Sequence, residues 1–121
     1  MAEEQRLICS SEALRERGTA VRFSIDSDRG ALPAFVVRYR GKVHAYLNRC
    51  AHVHVELDAE QGEFFDIAGL YLVCGTHGAA YAPESGYCVI GPCKGQRLRK
   101  LPVEEREGSV YLMKDEEQSH G

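Results

Sequence analysis

The residue types that bind metals are concentrated in two short motifs near the middle of the 121-residue chain. Cys50 and His52 form a C-x-H motif, and Cys74 and His77 form a C-x-x-H motif, with 21 residues between His52 and Cys74. Each motif offers one thiolate and one imidazole from a short segment. Two sulfur and two nitrogen ligands suit either a zinc ion or an iron–sulfur centre. We therefore predict that these four residues form one metal site.

The order of the ligands helps to choose between the two kinds of metal. Structural zinc sites usually pair like ligands, with cysteines close together in one motif and histidines in the other. Here each motif mixes one cysteine with one histidine. Two such loops that face each other can put both thiolates on one iron and both imidazoles on a second iron. The order favours a two-iron cluster, and a zinc-stabilised binding module using the same ligands remains the alternative.

These motifs resemble those of the Rieske [2Fe–2S] family, and the similarity extends beyond the four ligands. Gly78 directly follows the second histidine, as in the family. Tyr81 and the segment 84–86 are similar to the aromatic residue and the turn that follow the ligands, and Pro92 is similar to the proline of the loop that covers the cluster. The resemblance covers roughly residues 36–113. It implies that Gly78, Tyr81 and Pro92 surround the cluster.

The resemblance also implies the cofactor and how the ligands divide. The cofactor is one Rieske-type [2Fe–2S] cluster, with Cys50 and Cys74 on the inner iron and His52 and His77 on the outer iron. Neutral imidazoles in place of two thiolates make such a centre easier to reduce. Its potential lies at about −150 to +300 mV, against about −400 mV for plant-type ferredoxins. The expected activity is therefore one-electron transfer.

Two departures from the high-potential members of the family predict a potential in the lower part of that range. Those members carry an extra cysteine in each ligand loop, whereas this chain has none in the first loop and Thr76 in the second. They also carry a serine two places after the second histidine, where this chain has Ala79. Alanine cannot donate a hydrogen bond to a cluster sulfur. His54, close to the first ligands, is interpreted as an exposed loop residue.

Apart from the two motifs, the pattern predicts short strands and turns. Strands are predicted over 21–25, 35–39, 43–47, 63–66, 70–73, 98–103 and 109–113, with hairpin turns at 40–42 and 105–108. The only helical turn predicted covers 11–16. The fold class is therefore all-β, and the resemblance implies an antiparallel β base, sandwich- or barrel-like, with an inserted cluster-binding subdomain. We expect one domain over 1–121, with the subdomain at about 48–95.

The remaining cysteines and charged residues favour structural roles. Five cysteines are an odd number, which in a reducing compartment favours metal ligation over a disulfide framework. The three that are not predicted ligands are interpreted as packing thiols. An acidic stretch between the motifs and a basic strip after them are interpreted as solvated faces, with partner docking as the alternative. The packing thiols are Cys9, Cys88 and Cys93. The acidic stretch consists of Glu56, Asp58, Glu60, Glu63 and Asp66, and the basic strip consists of Lys94, Arg97, Arg99 and Lys100.

Composition and the absence of other motifs limit the function further. A net charge of −3 gives no reason to expect nucleic-acid binding, and no apolar run is long enough for a membrane span or signal peptide, so we expect a cytoplasmic protein. No motif predicts catalysis by the chain alone. The resemblance implies a small soluble electron carrier between a flavin-dependent reductase and a terminal oxygenase. The alternative is a small Rieske subunit of a larger redox enzyme, such as assimilatory nitrite reductase, beside its catalytic subunit.

Overall fold

The described part of the chain is built from short antiparallel strands. The computed structural model describes residues 5–27, 30–49, 57, 63–66, 69–74, 79–91 and 95–113. All ladders between its strands are antiparallel, which confirms the all-β prediction. The strands are β1 Gln5–Ser10, β2 Val21–Ser27, β3 Gly30–Tyr39, β4 Lys42–Leu47, β5 Leu72–Val73, β6 Ala80–Tyr81, β7 Cys88–Ile90, β8 Lys100–Leu101, β9 Val103–Arg106 and β10 Ser109–Met113.

These strands form three sheets, whose strand orders are β1-β10-β9, β2-β3-β4-β8 and β5-β6-β7. The four-stranded sheet lies between the other two, because side chains on its two faces belong to different apolar clusters. Val36 packs in one cluster with Val110 of β10, whereas Phe35 packs in the other with Leu72 of β5. Because neighbouring residues of a strand point to opposite faces, β3 is buried continuously from Ala34 to Val37. Leu57 and the sheet β5-β6-β7 therefore pack on one face of the four-stranded sheet.

Two hairpins have the turn chemistry that the sequence predicts. Arg40 and Gly41 connect β3 to β4 with positive φ angles of 54° and 79°. Glu107 and Gly108 connect β9 to β10 with φ angles of 49° and 81°. Two consecutive residues with positive φ are the signature of the two-residue hairpin turn whose twist matches that of the strands. The first turn agrees with the prediction, and the second occupies only the last two residues of the predicted segment 105–108.

Four predicted elements differ from the structure. The predicted strand 63–66 contains only an isolated bridge from Phe65 to Leu72, and the predicted strand 70–73 is shortened to Leu72–Val73, because the Asp66 side chain accepts the N–H groups of Leu70 and Tyr71.

The other two elements belong to the β base. The predicted helical turn over 11–16 is limited to a single 3₁₀ turn, Ser11–Ala13, because the extended Leu14 turns its side chain into the core. The predicted strand 98–103 is divided between two sheets: β8 pairs with β4, whereas β9, which begins directly after Pro102, pairs with β10. Proline lacks the N–H that a continuous ladder would require.

Arg38 of β3 connects three parts of the base through the N–H groups of its guanidinium. Its guanidinium donates to both carboxylate oxygens of Glu105 at 2.6 and 3.0 Å. It also donates to the backbone oxygens of Leu14 at 2.9 Å and of Ser11 and Gly41 at 3.3 Å. Hydrogen bonds from Arg38 lower the pKa of Glu105 to about 2. A bidentate pair of this kind is stronger than a typical surface ion pair.

The Arg38–Glu105 pair should stabilise the folded protein at neutral pH and lose this effect in acid. Since the pKa of Glu105 in the folded protein lies below its ordinary value of 4.5, its ionised form favours the folded state above about pH 4.5. That contribution disappears as the pH falls towards 2. We expect Glu105→Gln to lower the free energy of unfolding at pH 7 by about 1–3 kcal/mol, with a smaller difference from the wild type at pH 3. Urea titrations at the two pH values measure both effects.

The matched control is Glu104→Gln, one residue away on β9. Glu104 is about half exposed and lies 3.6 Å from Arg106 in a single-contact ion pair. Exposed pairs of this type contribute little, so we expect less than about 0.5 kcal/mol. Equal losses in the two variants would contradict the importance assigned to the Arg38–Glu105 pair.

Candidate metal centre

The structure describes one of the four predicted ligands, Cys74. Cys50, His52 and His77 lie outside the described residues, as do Gly78 and Pro92 of the predicted surroundings. Within the described ranges, no three potential metal ligands come together. The geometry that bears on the centre is therefore that of the segments on which the two ligand loops begin and end.

The second ligand loop begins and ends on a short antiparallel pair. Cys74 directly follows β5, and its backbone N–H donates to the oxygen of Ala79 at 2.8 Å, which closes the loop across residues 75–78. The preceding Val73 donates to the oxygen of Phe64 at 2.8 Å. Cys74 is almost completely buried and is not disulfide-bonded. A buried cysteine held by its own backbone suits the inner, thiolate-bound iron of a mixed cluster.

The first ligand loop ends in the same apolar cluster. Leu57 is buried with Cys74, Ala79 and Tyr81 between the four-stranded sheet and the sheet β5-β6-β7. Its backbone N–H donates to the side-chain oxygen of Asn48 at 2.8 Å, and Asn48 directly follows β4. The tertiary structure therefore brings the bases of both predicted ligand loops together, although 16 residues separate Leu57 from Cys74 along the chain.

Gly91 packs directly against the second ligand loop. It has a φ of +107°, and a Cβ atom at this position would lie 2.9 Å from the Cα atom of Ala79. Such a distance is too short for any other residue type, so the requirement for glycine is steric as well as conformational. The segment that the sequence predicts as the cover of the cluster thus begins in contact with Ala79.

The segment after Tyr81 forms the predicted turn, and Tyr46 of β4 holds it. The Tyr46 hydroxyl donates to the oxygen of Pro83 at 2.7 Å, and burial raises the pKa of this hydroxyl, so it stays a donor. Gly86, with a φ of +81°, lies against the Tyr46 ring, where a Cβ atom would be 2.8 Å away. Tyr81 is fully buried in β6. The contacts of Tyr46 with Pro83 and Gly86 fix the turn to the β base.

A family model for the Rieske [2Fe–2S] domain matches residues 4–105 of the chain. The chain belongs to the Rieske family. It therefore binds one Rieske-type [2Fe–2S] cluster, and its function is electron transfer. The buried, loop-closing Cys74 is a fitting donor for this cofactor.

Solved Rieske proteins share the fold over almost the whole chain. A chain in the complex of reduced oxygenase and oxidized ferredoxin in carbazole 1,9a-dioxygenase is 25% identical, with a TM-score of 0.71, and the match covers 91% of this chain and 93% of that one. The ferredoxin of carbazole 1,9a-dioxygenase from Nocardioides aromaticivorans is 21% identical, with a TM-score of 0.68 and coverages of 92% and 98%.

The terminal oxygenase from the same organism is similar over a part of its length only. It is 20% identical, with a TM-score of 0.72, and the match covers 93% of this chain but 30% of the oxygenase chain. No curated protein sequence matches the chain. In the part of the chain that the structure describes, no helix is long and apolar enough to cross a membrane.

The cysteines of this Rieske domain that are not predicted ligands differ in their burial and in whether they form a disulfide. Cys88 is buried in β7, as predicted, but it is disulfide-bonded, so its interpretation as a packing thiol is wrong. Cys9 is half-buried in β1, and burial raises the pKa of its thiol. An inert packing thiol was predicted there, and its surroundings agree. The predicted packing role of Cys93 falls outside the described residues.

Several charged residues of the two predicted faces have local partners. Glu63 accepts a hydrogen bond from the Thr19 hydroxyl at 2.9 Å, and Asp66 accepts one from the Leu70 backbone at 2.8 Å. In the basic strip, the Arg97 guanidinium lies over the Tyr87 ring and Lys100 donates to the oxygen of Glu84. The structure does not describe Glu56, Asp58, Glu60, Lys94 or His54.

Sequence reasoning missed two side chains that form hydrogen bonds to distant backbone, Asn48 beside the first ligand loop and Tyr46 at the turn after Tyr81. Asn48 was not singled out, although an asparagine at a strand end just before a metal ligand is a signal for a side chain that bonds to the backbone. Tyr46 was interpreted only as part of a strand, and nothing local in the sequence indicates that its hydroxyl reaches Pro83, 37 residues away.

Proposed function

We propose that this Rieske domain is a one-electron carrier that passes electrons from a flavin-dependent reductase to a terminal oxygenase. The observation that carries the proposal is the match over 93% of a chain in an oxygenase–ferredoxin complex, at 25% identity. In this proposal the chain has no catalytic activity of its own and works in the cytoplasm.

We assign the four ligands as the motifs predict: Cys50 and Cys74 on the inner iron, and His52 and His77 on the outer iron. The burial of Cys74 and the common apolar cluster beneath both loop bases support this division. The bound cluster supplies a site that gains and loses one electron at a moderate potential. The chain fixes the ligand loops on the β base and excludes water from the thiolate side. Residues of about 48–95 form the cluster-binding subdomain in this assignment.

Spectroscopy and electron-transfer assays test the function together. We expect a red-brown protein whose visible absorption bleaches with dithionite and which then gives an EPR signal. With NAD(P)H, a flavin-dependent ferredoxin reductase should reduce one cluster per chain, and a ring-hydroxylating terminal oxygenase should reoxidise it. A colourless, zinc-containing protein would overturn the electron-carrier proposal. Stoichiometric co-purification with a large catalytic chain would instead make it a subunit of a larger redox enzyme.

Ala79 gives a prediction about the reduction potential. It is fully buried, ends the second ligand loop and has no side-chain donor. We expect a wild-type midpoint in the lower part of the range of about −150 to +300 mV. A serine hydroxyl that donates to a cluster sulfur favours the reduced, more negative state. Ala79→Ser should therefore raise the midpoint by tens of millivolts, up to about 100 mV.

The control is Ala80→Ser at the next, equally buried position. Ala80 is the first residue of β6, and its side chain points to the opposite side of the strand. We expect its midpoint to stay close to that of the wild type in a redox titration. A wild-type midpoint near the top of the range, or no difference between the two serine variants, would contradict the role given to Ala79.

A further inference from the structure

Asn48 joins the two ends of the first ligand loop. It lies between β4 and the assigned ligand Cys50, and its side chain is almost completely buried. Its backbone N–H donates to the oxygen of Pro33 at 2.9 Å, which continues the pairing with β3. Its side-chain oxygen accepts the backbone N–H of Leu57 at 2.8 Å. The side chain therefore bridges a segment of eight residues, 49–56, which contains both ligands of the first motif.

Each end of this segment is also held independently by the core. At the first end, Leu47 donates to the oxygen of Arg99 at 3.0 Å, so the β4 terminus is bonded on both sides. At the second end, Leu57 is buried in the apolar cluster with Phe64. Because both ends are held by the core, the hydrogen bond between them joins two fixed points and restricts the loop that they enclose.

An asparagine suits this position for an electrostatic reason. The Leu57 N–H needs an acceptor two bonds beyond the Cβ atom of residue 48. The neutral amide of asparagine provides this oxygen without adding charge. A buried carboxylate would be costly to desolvate, and it would add a negative charge close to a centre that already carries two thiolates. A leucine has nearly the same shape but would leave the buried Leu57 N–H without its acceptor.

We infer that Asn48 is a positioning residue for the cluster. By bonding to Leu57 it holds the first ligand loop in the geometry in which Cys50 and His52 bind iron. This inference rests on the proposed assignment of these two ligands. Residues that orient metal ligands without touching the metal typically affect metal retention by about 10- to 100-fold.

The test is the rate of cluster loss from the holoprotein in the presence of an iron chelator, followed by visible absorbance. We expect Asn48→Leu to lose the cluster about 10- to 100-fold faster than the wild type. Asn48→Asp keeps the acceptor oxygen but adds a buried negative charge, so it should retain the cluster better than Asn48→Leu and less well than the wild type. We also expect the EPR spectrum of reduced Asn48→Leu to differ in its g values, because the histidine-bound side of the cluster is less restricted.

Tyr46→Phe is the matched control for a general loss of stability. It also removes a buried hydrogen bond, the one that the Tyr46 hydroxyl of β4 donates to the backbone oxygen of Pro83. This bond lies outside the first ligand loop. We expect Tyr46→Phe to lower the thermal midpoint about as much as Asn48→Leu does, with cluster loss close to the wild-type rate. Equal acceleration of cluster loss in both variants would reduce Asn48 to a structural role and overturn the inference.

Two further measurements keep the inference separate from the ligand assignment. If His52→Ala loses the cluster and Asn48→Leu keeps it at the wild-type rate, the inference fails while the proposed function stands. If His52→Ala keeps the cluster, the ligand assignment itself fails, and the inference fails with it. Should Asn48→Leu not fold, hydrogen exchange of the wild type decides: we expect strong protection of the Leu57 amide, and rapid exchange would overturn the inference.

Discussion

Replacing His77 with alanine is expected to abolish binding of the [2Fe–2S] cluster. In the proposed assignment His77 is one of two imidazoles on the outer iron, and the alanine side chain offers no ligand in its place. The second ligand loop, which begins at Cys74 and is closed by Ala79, should then lose its organisation. Because metal binding stabilises only the folded protein, the thermal midpoint should fall as well. Iron and sulfide content with visible absorbance measure the first effect, and calorimetry measures the second.

A histidine outside the ligand motifs provides the control. His44 is buried in β4 opposite Val37, and burial lowers its pKa, so it is a neutral core residue near pH 7. We expect His44→Ala to keep the full visible absorbance of the cluster. Full absorbance in His77→Ala would overturn the assignment of His77 as a ligand. Loss of the cluster in His44→Ala alone would place the functional histidine on the base sheet instead.

Replacing Phe35 with alanine is expected to cause the largest loss of stability in the base. Phe35 is fully buried on the face of β3 that meets the cluster-side residues. Its ring stacks on Phe64 with a centroid distance of 3.9 Å and an interplanar angle of 14°, and it lies 6.0 Å from the Tyr46 ring. Removal of a buried phenylalanine side chain leaves a cavity and typically costs about 3–5 kcal/mol. Chemical denaturation of the reconstituted holoprotein measures this loss.

Phe23→Ala provides the comparison on the same sheet. Phe23 of β2 is only partly buried, packs in the other apolar cluster and has the Arg6 guanidinium 5.9 Å from its ring centroid. We expect roughly half the cost of Phe35→Ala, because less apolar surface is returned to water. The Phe35 variant should also lose its cluster faster, since Phe64 accepts the Val73 N–H that precedes Cys74. Equal losses in the two variants would contradict the importance of this contact.

The cofactor and two hairpin turns could be predicted from the sequence motifs. The ligand types and their order favoured a two-iron cluster over zinc, and the resemblance of the motifs to the Rieske family identified the cofactor. The β3–β4 turn was also predictable. Arg40 and Gly41 adopt positive φ angles that a two-residue hairpin requires, and the neighbouring strands alternate over a short range.

Other features depended on contacts between distant residues. The 3₁₀ turn Ser11–Ala13 ends where Leu14 enters the core, so its length is decided by packing and not by helix propensity. The predicted strand 98–103 is divided because β8 finds its partner in β4 and β9 finds its partner in β10. Pro102 indicates a break in the strand, but the sequence does not predict which strands pair with the segments on its two sides.

The motifs predicted the cofactor through their resemblance to the Rieske family, and local patterns predicted the all-β class and the hairpin turns, because those patterns depend on residue types within a few positions of one another. The hydrogen bond from Leu57 to Asn48, the contact of Tyr46 with Pro83 and the packing of Gly91 against Ala79 became visible in the folded structure alone. These contacts join segments that the chain separates by 9 to 37 residues. Local sequence patterns cannot specify them, since each contact depends on how the three sheets pack around the two apolar clusters.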